Sequence, residues 1–153
     1  MILGFRLGRR LIGVVALDGE QIVFHDSRYV SARKATFDAN MTRYLRQLLE
    51  QLRPTTVCYY APTNVQTATE RLTTLLEQAA SLLSIDTKRL TKPELFSSVG
   101  VSEPRTRREF KERMQVLCPS LDEGHDARQL TLAEAAGTAF VGDLHDSSPR
   151  SAR

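Results

Sequence analysis

The chain has 153 residues, of which 41% are hydrophobic and 25% charged, so its composition favours a folded globular domain over disorder. No run approaches the roughly 20 apolar residues that span a bilayer, which excludes a membrane-spanning helix and predicts no membrane partner. Two cysteines, Cys58 and Cys118, are too few for a disulfide framework or a zinc site. We therefore expect a reducing, cytoplasmic location.

The net charge of +3 is unevenly distributed along the chain. Residues 1–53 carry nine Arg or Lys and five Asp or Glu, and residues 88–113 carry eight and four, a local charge of +4 in each segment. If folding brings the two segments together, they form one basic surface suited to phosphate backbones. The alternative is an ordinary solvated helix surface, because the charges of Arg105 to Arg113 alternate at i,i+4 spacing.

Three apolar runs with β-type residues open the chain. They are Ile2–Phe5, Leu11–Leu17, and Gln21–His25 continued by Tyr29-Val30. Asp18-Gly19 between the second and third runs is a strong hairpin signal, because its glycine tolerates a positive φ. The opening residues therefore predict a three-stranded antiparallel meander.

Helical and β-type patterns alternate after this meander. The predicted elements are a helix over residues 36–53, a strand over Thr55–Tyr60, a helix over 65–83, a strand over Ile85–Leu90, a helical turn from Pro93, a helix capped by Ser102, and an Ala-rich helix over Asp126–Phe140. This order predicts an α/β fold with a mixed five-stranded sheet and helices on both faces. We expect one domain over residues 1–142 and a frayed tail over 143–153.

Four stretches, in the correct order, resemble the RuvC-like branch of the ribonuclease H superfamily. That branch includes Holliday-junction resolvases and YqgF-type nucleases. The stretches are Ile2 to Val15 (ILGFRLGRRLIGVV), Val57 to Pro62 (VCYYAP), Ile85 to Thr91 (IDTKRLT) and Asp126 to Leu130 (DARQL). The resemblance implies a ribonuclease H-like fold and a connection with DNA recombination or repair.

The resemblance also implies a two-metal site, from which this sequence departs. The family's Asp in the first strand falls on Arg6, its Glu in the fourth strand on Tyr59 or, in our preferred assignment, Tyr60, and its final Asp on Gln129. Asp126 is the family carboxylate that remains. An arginine guanidinium has no lone pair for a metal ion. We therefore expect two-metal catalysis to be lost, and we expect an Arg6–Asp126 ion pair to occupy the former site.

Tyr59 and Tyr60 point to opposite faces of their strand, so one of them should lie in the core and the other toward this site.

Three functions are compatible with the sequence. The first is a catalytically degenerate relative of the resolvases that binds nucleic acid, DNA rather than RNA, without cleavage. Its expected phosphate contacts are Arg6, Arg9, Arg10, Lys88, Arg89 and Lys92, and it needs no cofactor. The second is an interaction scaffold whose Leu-rich helices, 36–53 and 65–83, expose a homodimer or partner surface. The third is a Mg²⁺-dependent crossover-junction endonuclease with relocated carboxylates.

Overall fold

A computed structural model describes residues 1–31, 35–62, 67–100 and 102–146 of the chain. The first three strands are β1 (Ile2–Leu7), β2 (Leu11–Asp18) and β3 (Gln21–Tyr29). They pair antiparallel in sequence order, and Gly19 in the β2–β3 turn has a φ of +63°. The predicted meander is confirmed.

Two further strands, β4 (Thr56–Tyr60) and β5 (Asp86–Leu90), complete a sheet of order β3-β2-β1-β4-β5. β4 pairs parallel with β1 on one side and with β5 on the other. β1 is therefore the central strand, with an antiparallel neighbour and a parallel neighbour. The sheet is the mixed five-stranded sheet that the sequence predicts.

The helices are α1 (Phe37–Leu52), α2 (Thr67–Leu82), α3 (Lys92–Phe96), α4 (Arg107–Leu117) and α5 (Ala127–Asp146), with a 3₁₀ turn at Ser97–Val99. Among the described residues, none of these helices is long and apolar enough to cross a membrane.

Two helix ends differ from the prediction. α4 begins after Thr106 rather than after Ser102, because Thr106 is extended and its hydroxyl accepts a hydrogen bond from the Glu109 N–H at 3.0 Å. The Ser102 carbonyl oxygen instead accepts from Arg113. α5 continues past Phe140 to Asp146, because Val141 is still buried and Gly142 lies against Ile2 and Cys58 of the sheet. Residues 147–153 of the predicted tail lie outside the described residues.

The helices α1 and α2 cover one face of the sheet. Leucines on their inner sides pack with Leu3, Phe5 and Leu7 of β1 in one buried cluster; these leucines are Leu45, Leu48, Leu49, Leu72 and Leu76. These leucines therefore do not contribute to the partner surface predicted for the two helices. They are core residues because the sheet supplies the apolar surface against which an amphipathic helix packs.

The opposite face of the sheet is covered by α4 and α5, and α5 lies very close to β1. A Cβ atom added at Gly4 would lie 2.6 Å from the Ala139 backbone nitrogen and would overlap the Ala135 carbonyl oxygen. Glycine in the strand and alanine in the helix thus allow two backbones to approach each other closely. This contact fixes which residues of α5 lie above the central strand.

We predict that Gly4→Ala lowers the free energy of unfolding by about 1–3 kcal/mol, because the added methyl group meets backbone atoms that cannot move aside as a side chain can. Urea unfolding measures the loss. Val116→Ala, at a helix position that is 79% exposed, is the control and should stay within about 0.5 kcal/mol of the wild type. An unchanged unfolding midpoint for Gly4→Ala would contradict the close contact.

Candidate functional site

Arg6 of β1 and Tyr60 of β4 are adjacent across the parallel strand pair. Tyr60 belongs to the buried cluster under α4 and α5. Tyr59 lies on the opposite face, in the cluster under α1 and α2, where its hydroxyl donates to Glu77. The two tyrosines lie on opposite faces as predicted, with Tyr60 on the side of Arg6. Both are buried in core clusters, so the expectation that only one of them lies in the core is wrong.

The carboxylate beside Arg6 comes from the middle of α5. Glu134 Oε1 lies 3.6 Å from Arg6 Nε and 2.6 Å from Arg107 Nε at the start of α4. Arg107 also donates from Nη2 to the Thr131 hydroxyl at 3.2 Å. The Glu134 side chain is 8% exposed and that of Arg6 14%. One nearly buried carboxylate therefore lies between two guanidinium groups.

Asp126 does not pair with Arg6. The expected Arg6–Asp126 ion pair is therefore wrong, because the acidic partner of Arg6 is Glu134. The Asp126 carboxylate accepts from the Gln129 N–H at 2.9 Å, while the Gln129 side chain accepts from the Asp126 N–H at 3.0 Å. This reciprocal pair caps the N-terminus of α5. Glu134 is eight residues, about 12 Å, further along the helix, at the level of Arg6.

Burial and neighbouring charges shift the pKa values of Arg6 and Tyr60. Burial lowers the pKa of the Arg6 guanidinium, and Glu134 partly opposes that shift. Burial also raises the pKa of Tyr60, with a further contribution from Glu134. Arg6 Nε has no hydrogen-bond partner in the described protein. Arginine nevertheless keeps its proton at neutral pH, so the cluster of two guanidiniums and one carboxylate carries a net positive charge.

The Arg6 guanidinium lies over the β1–β2 turn. A Cβ atom at Gly8 would overlap Arg6 Nη1, so glycine is the residue that leaves room for this side chain. Arg9 and Arg10, which follow in the turn, are exposed. The turn therefore holds one guanidinium inward and presents two outward.

An open cleft of about 300 Å³ lies above this cluster, where β1 and β4 end. It is lined by the β1–β2 turn, by Pro62, and by the first turns of α2, α4 and α5; the described lining residues are Arg6, Arg9, Arg10, Leu11, Pro62, Thr69, Arg107, Ala127 and Thr131. Four of these nine are arginines, and none is acidic. The charged side chains that line the cleft are therefore all cationic, and the N-termini of α2 and α4 add partial positive charge to it.

Comparison with solved structures identifies the fold. The chain superposes on RuvC of Thermus thermophilus with a TM-score of 0.75 at 12% sequence identity, covering 94% of this chain and 93% of that one. A second structure, T. thermophilus RuvC in complex with a Holliday junction substrate, matches with a TM-score of 0.76 at 10% identity, covering 94% and 92%. The chain has the RuvC-like, ribonuclease H-like fold. No family model and no curated protein matches the sequence.

The metal ions that the RuvC resemblance implies do not fit the residues found here. Arg6 occupies the position assigned to the first-strand carboxylate, beside Tyr60, and Gln129 is engaged in capping α5. A guanidinium at that position repels a divalent cation, which needs oxygen ligands. Within the described ranges, no group of three or more His, Cys, Asp or Glu could hold a metal ion.

The other basic residues expected at the site lie elsewhere in this RuvC-like fold. Arg89 is the register partner of Tyr59, on the α1–α2 face, and pairs with Glu70 at 3.5 Å. Lys88 forms an ion pair with Glu94 at 3.4 Å, and Lys92 lies over the Phe96 ring. Of the six predicted phosphate contacts, Arg6, Arg9 and Arg10 line the cleft.

Sequence analysis missed Glu134 and Arg107. Glu134 had a detectable signal, because it interrupts the run of apolar residues Leu132, Ala133, Ala135 and Ala136, all of which are buried. A lone acid among buried positions requires a cationic partner. Arg107 had no comparable signal, since it lies in a segment where charges alternate.

We predict that Glu134→Gln lowers the free energy of unfolding by about 3 kcal/mol, because it leaves two guanidiniums close together without their carboxylate. Arg6→Met/Glu134→Met should recover part of this loss by replacing the buried pair with apolar side chains. Chemical unfolding of both variants measures the difference. Glu50→Gln, which breaks the exposed Arg46–Glu50 pair, is the matched control and should cost under about 1 kcal/mol. Equal losses for Glu134→Gln and the control would refute the cluster.

We predict that Asp126 acts as a helix cap. Asp126→Ala should lower the free energy of unfolding by about 1 kcal/mol, whereas Asp126→Asn, which keeps an accepting oxygen, should change it little. Asp122→Ala, at a neighbouring exposed acid, is the control. Thermal melts should also show no effect of Mg²⁺ on any of the proteins. A Mg²⁺-induced rise in Tm that Asp126→Asn abolishes would instead identify Asp126 as a metal ligand.

Proposed function

We propose that this protein binds nucleic acid, DNA in preference to RNA, through the arginine cleft and without metal-dependent cleavage. The observation that carries the proposal is the convergence of Arg6, Arg9, Arg10 and Arg107 on one cleft without an acidic lining residue among those described. Arginine presents several N–H donors in a planar fork that matches phosphate oxygens. A cleft of this composition is suited to a polyanion.

The position of the cleft supports the same function. It lies at the carboxyl ends of the parallel strands β1 and β4, where open α/β sheets bind their ligands. T. thermophilus RuvC, which shares the fold, has been captured with a Holliday junction. We therefore propose branched DNA as the first substrate class to test.

The proposed lack of cleavage follows from the charge of the cluster. Two-metal hydrolysis uses cations to stabilise the attacking and leaving oxygens of the phosphodiester. Here Arg6 and Arg107 are the cations beneath the cleft, and Glu134 is shared between them. Guanidinium groups can hold a phosphate, but they do not generate a metal-bound hydroxide to attack it.

The test is fluorescence anisotropy with a labelled four-way DNA junction, the matching duplex and a single strand, in EDTA at several salt concentrations. We expect binding that weakens steeply with salt, because phosphate contacts release counterions. Arg9→Ala/Arg10→Ala should reduce the slope of log K against log[salt] for duplex by about 2. The matched control is Arg43→Ala/Arg46→Ala, which removes the same charge from the outer surface of α1 and should leave the slope unchanged.

Two results would contradict the proposal. An absence of binding to all three DNAs at low salt would exclude nucleic acid as the ligand. Cleavage of the junction in Mg²⁺ or Mn²⁺, lost in Asp126→Asn, would support the endonuclease alternative. The RNA duplex of the same sequence, assayed in parallel, tests the preference for DNA.

A further inference from the structure

Tyr29 is an exposed aromatic residue at the end of β3, beside the cleft. Tyr29 is 60% exposed, and the Arg128 guanidinium carbon lies 4.8 Å from the centre of its ring. Arg128 is itself exposed, in the first turn of α5. An aromatic ring and a guanidinium thus lie against each other at the surface.

The other three tyrosines of the chain are used internally. Tyr44 donates its hydroxyl to Asp26 at 2.7 Å, Tyr59 donates to Glu77, and Tyr60 is 6% exposed. Tyr29 is the tyrosine whose ring remains available to a ligand.

Tyr29 and Arg128 are both next to residues that line the cleft. Tyr29 is the register partner of Leu11, which lines the cleft, and the Val30 N–H donates to the Arg10 carbonyl at 2.8 Å. Arg128 directly follows Ala127, another lining residue.

We propose that Tyr29 and Arg128 form a stacking platform for an unpaired nucleobase of a strand whose phosphates lie in the arginine cleft. This inference rests on the proposed function and specifies its substrate further. Unstacked bases bind aromatic rings and guanidinium planes, whereas bases within a duplex are already paired and stacked. The platform therefore favours single-stranded DNA, or the open bases of a branched junction, over continuous duplex.

The experiment compares a labelled single strand with a strand of equal length in which several nucleotides are abasic. The abasic strand keeps every phosphate and lacks only the bases. We expect the wild-type protein to bind the complete strand about tenfold more tightly. Tyr29→Ala should reduce this ratio toward one, and Tyr29→Phe, which keeps the aromatic ring, should preserve it.

Two control variants separate the platform from the cleft. Val23→Ala, at a 51% exposed position of the same strand, should leave both affinities unchanged. Arg9→Ala/Arg10→Ala should weaken binding of the complete and abasic strands alike. Circular dichroism melts would verify that each variant is folded.

The outcomes distinguish the two proposals. Salt-sensitive binding with the same base-dependent ratio in wild type and Tyr29→Ala would overturn the platform and leave the proposed function standing. Binding that shows no preference for bases in the wild type would also overturn the platform. Failure of the wild type to bind any nucleic acid would overturn both.

Discussion

The close contact between α5 and the central strand β1 organises the functional end of this protein. The absence of a side chain at Gly4 lets the backbone of α5 lie directly on the sheet at Ala135 and Ala139. That contact fixes the rotation and the height of the helix, and it places Glu134 above Arg6. A wider separation would leave a buried guanidinium without a carboxylate nearby, at a cost of several kcal/mol. The glycine, the alanines and the ion pair are therefore parts of one arrangement.

The chemistry of the site follows from the arginine that this arrangement holds. Glu134 satisfies part of the charge of Arg6 and Arg107 and keeps both guanidiniums next to the cleft, where Gly8 leaves space for Arg6. Because the two cations share one anion, the base of the cleft remains positive. Arg9 and Arg10 extend that positive charge to the surface, and this fixed charge is the basis of the proposed binding to phosphate.

The alternation of side chains across the sheet explains why Arg89 does not join the basic cleft. Arg89 and Tyr59 share one face, whereas Arg6 and Tyr60 share the other. A one-residue step along a strand therefore separates a cation that pairs with α2 from residues that border the cleft. The charge of the cleft comes instead from the β1–β2 turn and from the start of α4, which are about 100 residues apart in the chain.

The sequence by itself determined the meander, the order of helices and strands, the mixed sheet and the presence of arginine where the resemblance implies a carboxylate. These depend on local patterns, namely β-type runs, an Asp-Gly turn and helical periodicity, which neighbouring residues specify. Only the tertiary structure decided that Glu134, and not Asp126, pairs with Arg6, that Arg107 completes the cluster, and that Tyr29 lies beside the cleft. Those facts depend on the depth and rotation of α5 against the sheet. A helix offers a different residue every 100° of rotation, so sequence spacing alone does not state which one faces a given strand.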